Sequence, residues 1–581
     1  MIADITVTEK SFGPKSLFSG VAFSINDGEK LGVIGRNGVG KSTLFGILAG
    51  SDKDYAGEIV YKRGTVVVAT QQEHHGVGQQ TVLQYILHGL PEYSELSQII
   101  ETYPETMGSD MKKISDYTTA LQRFDDLGYY QISEQVECEL DNFQMPGVAH
   151  APLKDLSGGQ KRLVEVVKVM HSNAHLALVD EPTNHMDYVA KAQFIDWLKG
   201  AKEAVLVITH DRDVLREVDR VIEIKDGKSI SFNGNYDAYL KQNATSTNTQ
   251  MNEFELIERR IANLKVKVVD YKRLKEKSRN PSTIQKFKRL EEVSRRELAE
   301  LQTREKPTFW IDKNSVENLD YKSAGRYEKF KSKNIRINTK SANSRSSHIL
   351  VNVKGLSLGY AAPLFEGINI DLREGEALEL RGRNGAGKTT LIKAILAQHS
   401  PAAPSRRDIR SSASVTSLDS LNQKDSMSRQ DAAAGARVFA GELSVDSHIT
   451  IGVYEQEISP TYFDMPLGDA IERMYLDKDL TISTSKTMQL MSDYLFDPIG
   501  DARIPLSRLS GGQKARFQVI AMLATEPQLL ILDEPTNHLD LPSIEELESA
   551  LKKFSGAILY VSHDGYFRQA IGGDVVQVGA K

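Results

Sequence analysis

Two eight-residue strings in this 581-residue chain have the composition and spacing of a phosphate cradle. They are Gly35-Arg36-Asn37-Gly38-Val39-Gly40-Lys41-Ser42 and Gly382-Arg383-Asn384-Gly385-Ala386-Gly387-Lys388-Thr389. Each follows a short apolar run and precedes a helical pattern. Glycines at these intervals let the backbone fold tightly, so that successive N–H groups surround phosphate oxygens. The positive end of the following helix adds to the attraction. Lys41 and Lys388 are placed to reach the outer phosphates, and Ser42 and Thr389 to offer a hydroxyl to Mg²⁺. Asn37, Asn384, Thr43 and Thr390 complete the predicted nucleotide-binding set. The ligands implied by these residues are a polyphosphate and Mg²⁺.

Downstream, Leu176–Val179 and Leu529–Leu532 are apolar runs that end in Asp180-Glu181 and Asp533-Glu534. They read as buried strands of a sheet covered on both faces. Asp180 and Asp533 can hold Mg²⁺, directly or through water. Glu181 and Glu534 then stand where each could polarise an attacking water. His210 and His563 end further apolar runs, each 29 residues after its glutamate. A histidine in that place suits a contact to the γ-phosphate or to the water. Leu156-Ser157-Gly158-Gly159-Gln160 and Leu509-Ser510-Gly511-Gly512-Gln513 each open a helix, with Ser157 and Ser510 as N-caps and exposed amides fit for an anion.

These motifs belong to a long internal repeat. Ser157, Glu181 and His210 recur 353 residues later as Ser510, Glu534 and His563, whereas Lys41 and Lys388 differ by 347. Lys41 to Gln72 is 31 residues and Lys388 to Gln456 is 68, so the second copy has gained a segment before its glutamine and lost one after it. The expected fold is α/β: two tandem phosphate-loop domains, at 1–242 and 349–581, joined by a linker at 243–348. The gained segment, about 399–440, holds nine serines between Ser400 and Arg429 and is expected to be a disordered loop. The extra residues of the first copy, about 93–122, read as a helical projection.

Residues 250–306 read as a helical hairpin. Phe254, Ile257, Ile261, Leu264, Val268, Tyr271 and Leu274 keep to one face of a helix of ~26 residues, or ~40 Å at ~1.5 Å per residue. Asn280-Pro281 breaks the run, and a second helix over about 284–304 carries Phe287, Leu290, Val293, Leu298 and Leu301. Net charge is −6, yet residues 250–340 hold 24 basic and 14 acidic side chains. Residues 265–289 alone hold ten basic and two acidic ones. Charge by itself leaves two readings open, a solvated helix surface and a polyanion partner.

No stretch approaches the ~18 apolar residues of a membrane-spanning helix. The opening residues lack a basic start and an apolar run, so no secretory signal is expected. A single cysteine, Cys138, rules out a disulfide framework or cysteine metal cluster within one chain and fits a reducing, cytoplasmic setting.

In combination the motifs resemble those of ATP-binding-cassette ATPases. The Asp180–His185 and Asp533–His538 strings (DEPTNH), without membrane spans, resemble the ABC-F subfamily of ribosome-associated ATPases. That resemblance covers nearly the whole chain. It implies a head-to-tail sandwich within a monomer, in which ATP on Lys41 meets Ser510 and ATP on Lys388 meets Ser157. It further implies that Phe12 and Tyr360 stack on adenine, that Gln72 and Gln456 sense Mg²⁺ and water, and that Asp187 and Asp540 make contacts between the cassettes. Met186 departs from the usual leucine but keeps a similar apolar volume. The basic linker would reach toward P-site tRNA and the peptidyl-transferase region of the ribosome, as in a translation factor or an antibiotic-resistance ribosome-protection ATPase. The rival expectation is a cytosolic ATPase component of a membrane transporter.

Overall fold

The apolar runs that lead to the acidic pairs form inner strands of two parallel sheets. The computed structural model describes residues 1–12, 15–71, 76–106, 108, 110–184, 186–303, 310, 327, 329–330, 334–337, 348–399, 436–455 and 458–579. In the first copy the spatial order is Lys228–Asn233, Arg220–Lys225, Lys30–Gly35, Ala204–Ile208, Leu176–Asp180 and Val67–Ala69. In the second it is Ile451–Tyr454, Leu529–Asp533, Ala557–Val561, Ala377–Arg381 and Asp574–Gln577. The pairings around the strands that carry the motifs are parallel. Alternation along a strand sends successive side chains to opposite faces. Leu176 and Leu178 therefore enter one core while Ala177 and Val179 enter another. Leu529 and Ile531 separate from Leu530 and Leu532 in the same way. Both faces are covered, which is why these strands read as unbroken apolar runs.

One face of each sheet is closed by the helix after the glycine-rich loop and by an antiparallel sheet. In the first copy Ala3–Phe12 pairs with Lys15–Phe18, Val21–Ile25 and Ala56–Tyr61; in the second Ile349–Gly359 pairs with Pro363–Arg373 and Arg437–Val445. The other face is closed by helices, among them Gly158–Met170 and Gly511–Leu523, which the two serine-glycine motifs open. The extra segment of the first copy forms the helices Tyr93–Thr106 and Met111–Asp126. They are anchored by Tyr93, Phe124 and Tyr129 in mutual ring contact and by a two-pronged Arg123–Glu92 ion pair. Of the serine-rich segment, 400–435 lies outside the described residues, while its last residues, 437–440, begin the strand Arg437–Val445.

The chain divides into two units, Met1–Ser231 with Ile335–Lys581, and Phe232–Asn334. The strands that carry the motifs, in both sheets, lie in the first unit, so contacts between the two copies are internal to it. The second unit contains the hairpin. Its first helix, Tyr236–Lys277, is 42 residues long and starts well before the expected position, capped by Asn235. The early turns are hard to read because Asn243 and Thr247, both polar, share the buried face with Tyr239 and Met251. Asn280 caps the second helix, Pro281–Gln302, with proline in its first turn. Pro281 thus starts this helix, since its missing N–H would have no helical partner there in any case.

The seam between the two helices departs from expectation in two places. Leu274 is 45% exposed and Val293 58% exposed. Strict alternation of three and four residues from Phe254 through Tyr271 lands on Lys275, not on Leu274. Lys275 accordingly lies on the seam and pairs with the buried Glu291 at 2.5 Å. Arg295 also pairs with Glu291, at 2.7 Å. Arg260–Glu297 and Tyr271 stacked on Phe287 fix the antiparallel register farther along.

Candidate functional site

Each glycine-rich loop leaves a central strand and wraps the start of a helix, Lys41–Leu48 or Lys388–His399. Gly38 and Gly40 have φ of 80° and 104°, and Gly385 and Gly387 have 80° and 96°, in the left-handed region that favours glycine. A Cβ at Gly40 would come within 2.8 Å of Leu17 and Phe18, and one at Gly387 within 2.9 Å of Phe365. The cradle is therefore closed to larger residues. The Lys41 ammonium donates to the Gly35 carbonyl at 2.7 Å, and Lys388 to the Gly382 carbonyl at 2.7 Å. Burial holds both ammonium groups below the usual lysine range, opposed by Glu181, Asp540 and Asp180 at the first and by Glu534, Asp187 and Asp533 at the second.

The acidic pairs face these loops. Thr389 Oγ1 donates to Asp533 Oδ2 at 2.8 Å, which unites the hydroxyl and carboxylate expected to hold Mg²⁺. Ser42 and Asp180 stand at the corresponding positions of the first copy. Glu181 and Glu534 have φ of 45° and 52°, left-handed values that cost a residue with a Cβ about 1–2 kcal/mol. Their backbone N–H groups donate to Ile208 and Val561 carbonyls on the adjacent strands. That turn aims each side chain at its histidine: His210 Nε2 lies 3.6 Å from Glu181 Oε1, and His563 Nε2 lies 3.2 Å from Glu534 Oε1. The His563 N–H also donates to Glu534 Oε2 at 3.2 Å.

Burial dominates the acid–base chemistry here. It pushes Glu181 up to about 8 and Glu534 up to about 7, and His210 and His563 down to about 3 and 4. Both histidines are thus neutral near pH 7, and both glutamates hold a proton to well above the usual carboxylate range. Among the described residues, both ring nitrogens of His210 are buried without a hydrogen-bond partner, as is Glu534 Oε1. Buried polar atoms of this kind fit a ligand that brings its own donors and acceptors, as a triphosphate and a water would.

The two copies meet head to tail. The Asn37 N–H donates to Asp540 Oδ2 at 3.1 Å, and the Asn384 N–H donates to Asp187 Oδ2 at 3.2 Å. Each aspartate also caps its own helix. The Asn37 side chain donates to the His538 carbonyl at 2.8 Å. A Cβ on Gly512 would fall 2.0 Å from Asn37 Nδ2, so the second serine-glycine motif lies directly against the first glycine-rich loop. Ser157 and Ser510 cap their helices in reciprocal capping boxes with Gln160 and Gln513. Gly159 lies in the first turn of its helix. Met186 is buried in the core of the first copy as Leu539 is in that of the second.

Phe12 and Tyr360 are exposed, 57% and 43%, with the Lys10 ammonium 5.0 Å from the Phe12 ring centre. Gln72 and Gln456 lie outside the described residues, as does His185. Their neighbours are held differently. The Gln71 N–H donates to buried Glu165, itself paired with Lys168 and Tyr85. The Glu455 carbonyl accepts from the Gln518 side chain.

Residues not singled out from the sequence also meet between the copies. Arg212 Nη1 pairs with Glu548 Oε1 at 3.1 Å, and Arg212 and Arg216 lie over the Tyr566 ring. Lys191 pairs with Asp211 and Asp213 and reaches the His563 carbonyl. They belong to no motif. The one signal available is that the copies differ there: Lys191 and Arg212 stand opposite Ile544 and Gly565 at the 353-residue offset.

A family model described as ABC transporter matches residues 18–184 and again 365–537, and a second model with that description matches 222–309. ABC transporter F family member 5 of Arabidopsis thaliana is 26% identical over 98% of this chain and 74% of its own length. Ribosome protection protein VmlR of Bacillus subtilis is 26% identical over 97% of this chain and 84% of its own. Among solved structures, an RNase-L Inhibitor aligns with a TM-score of 0.53 and 16% identity over 98% of this chain and 87% of that one, which shows a shared tandem-cassette fold. Among the described residues no helix is long and apolar enough to cross a membrane.

Proposed function

The chain belongs to the ABC transporter family of ATP-binding-cassette proteins, with ABC-F proteins among its relatives, and from that premise we propose that it is a Mg²⁺-dependent ATPase acting on the ribosome. In this reading two ATP molecules bind between the cassettes. Lys41 and the first glycine-rich loop hold one against Ser510 and Gly512; Lys388 and the second loop hold the other against Ser157 and Gly159. Phe12 and Tyr360 stack on the adenines. Mg²⁺, held by Ser42 with Asp180 and by Thr389 with Asp533, with Gln72 and Gln456 alongside, neutralises phosphate charge when bound.

Glu181 and Glu534 orient water for attack on the γ-phosphorus, with His210 and His563 beside it. The new bond is from water oxygen to phosphorus; the bond from phosphorus to the β–γ bridging oxygen breaks, and ADP and phosphate leave. ATP favours the closed arrangement only through contacts that exist when both cassettes touch it. Hydrolysis removes some of those contacts and permits opening. The observation that carries this reading is the reciprocal pair of hydrogen bonds from Asn37 to Asp540 and from Asn384 to Asp187, which put each glycine-rich loop against the opposite cassette.

The hairpin is the part that meets RNA in this proposal, reaching toward P-site tRNA and the peptidyl-transferase region. Lys272, Arg273, Lys277 and Arg279 are exposed near its turn, whereas Lys275 is engaged with Glu291. Cations of this kind would read RNA backbone and shape, with salt-dependent affinity. The test is co-sedimentation of the purified protein with ribosomes and with membranes, alongside its ATPase rate. Replacing Lys272, Arg273, Lys277 and Arg279 by glutamine is expected to weaken ribosome retention while ATP binding stays intact. The log–log salt dependence should become shallower by about 0.7–0.9 for each phosphate that is no longer neutralised. Retention equal to wild type at physiological salt, or partition with membranes, would remove the ribosomal part of the proposal.

A further inference from the structure

We propose that Lys191 is a positioning residue of the first cassette that acts in trans on the second ATP site and on that site alone. Its side chain is nearly buried, 8% exposed, in the helix Tyr188–Gly200 that Asp187 caps. The ammonium makes ion pairs with Asp211 at 2.8 Å and Asp213 at 2.6 Å within its own cassette. Its remaining donor crosses to the opposite cassette and meets the His563 carbonyl at 3.4 Å. His563 in turn holds Glu534 Oε2 through its backbone N–H at 3.2 Å, with its neutral ring 3.2 Å from the other carboxyl oxygen. A continuous path of polar contacts therefore runs from two carboxylates of the first cassette to the water-orienting glutamate of the second.

The first site lacks an equivalent cation at that place. At the position equivalent to Lys191 the second cassette carries Ile544, which is buried and donates nothing from its side chain. The surrounding contacts are one-sided as well. Arg212 and Arg216 reach from the first cassette to Glu548 and Tyr566 of the second. Gly565 and Tyr566 occupy the places of Arg212 and Asp213. A fixed carbonyl at His563 keeps the N–H that holds Glu534, and the imidazole beside it, from drifting, and displacement of a reacting group by ~1 Å is enough to slow chemistry substantially. Lys191 contacts neither glutamate nor the reacting atoms, so its effect is on geometry. The second site is thereby made dependent on closure against the first cassette in a way that the first site is not.

This inference rests on the proposal that both sites hydrolyse ATP, and its test separates the two. In a Glu181→Gln background only the second site turns over; in a Glu534→Gln background only the first does. Lys191→Met is expected to lower kcat about tenfold in the Glu181→Gln protein, with KM for ATP changed less than about twofold, and to change kcat less than about twofold in the Glu534→Gln protein. Lys191→Arg should restore most of the rate. Lys191→Met with Asp213→Asn, which removes one carboxylate left without its cation, guards against loss through misfolding and should give the same site preference. Equal losses in both backgrounds, an unchanged kcat in the Glu181→Gln protein, or a loss confined to KM would overturn the assignment. Amide exchange across residues 561–566 of the full-length protein provides a reading that needs no turnover: it should rise in Lys191→Met, and unchanged exchange overturns the assignment. A Glu181→Gln protein inactive with Lys191 in place would instead count against two hydrolysing sites, and the exchange result would still decide the role of Lys191.

Discussion

Gly512 shows how one atom's worth of space ties the two cassettes together. Its missing Cβ is the room in which the Asn37 amide sits, while the Asn37 backbone donates to Asp540. Gly512→Ala should push Asn37 away and reduce turnover at the first site by about tenfold, measured in the Glu534→Gln background, with a smaller effect at the second site measured in the Glu181→Gln background. No effect at either site would mean that the contact is dispensable, and equal effects at both would mean that it does not act on the first site in particular. Lys41, Lys388, the acidic pairs and the two histidines stand out in the sequence because short strings of fixed type contain them. Their geometry does not. The left-handed φ of Glu181 and Glu534 follows from backbone bonds to Ile208 and Val561 on other strands, which no local pattern announces. Lys191 and Arg212 were invisible for a related reason: each acts across the cassette boundary, and only the difference from Ile544 and Gly565 marks them.

The hairpin illustrates what periodicity can and cannot locate. Its apolar face, its break at Asn280-Pro281 and its concentration of cations were readable because they repeat along the chain. The last turn of the seam was not, since it passes through the charged pair Lys275–Glu291 instead of through Leu274 and Val293. Lys275 and Arg295 together hold the Glu291 carboxyl below the usual range, by hydrogen bonding. Lys275→Met should therefore speed amide exchange over residues 271–295, whereas Leu274→Ala, at an exposed position, should leave it nearly unchanged. The reverse order would restore Leu274 to the seam. The long start of the first helix is hidden in the sequence because Asn243 and Thr247 take buried positions where a periodic reading looks for apolar residues. By contrast, the paired helices Tyr93–Thr106 and Met111–Asp126 follow directly from their pattern.

At the scale of the molecule, the 353-residue offset was enough to read the duplication, and the two parallel sheets with covered faces are its physical expression. The offset does not say which surface of one copy meets which surface of the other. That information lies in reciprocal contacts such as Asn37–Asp540 and Asn384–Asp187, and in the one-sided Arg212–Glu548 pair. Arg212→Met leaves the largely buried Glu548 without its cation, and should raise the ATP concentration needed for half-maximal closure by about tenfold, read by energy transfer between labels on the two cassettes. No change would make that pair incidental to closure. The central claim is that ATP held at both sites closes the cassettes and that the closed form is the one which binds the ribosome. Ribosome retention of the Glu181→Gln, Glu534→Gln double variant, measured with ATP and with ADP at one salt concentration, tests it most directly. Strong retention with ATP, weak retention with ADP and ATP turnover reduced by about a hundredfold or more are the predicted results. Equal retention with either nucleotide, or turnover at the wild-type rate, would contradict it.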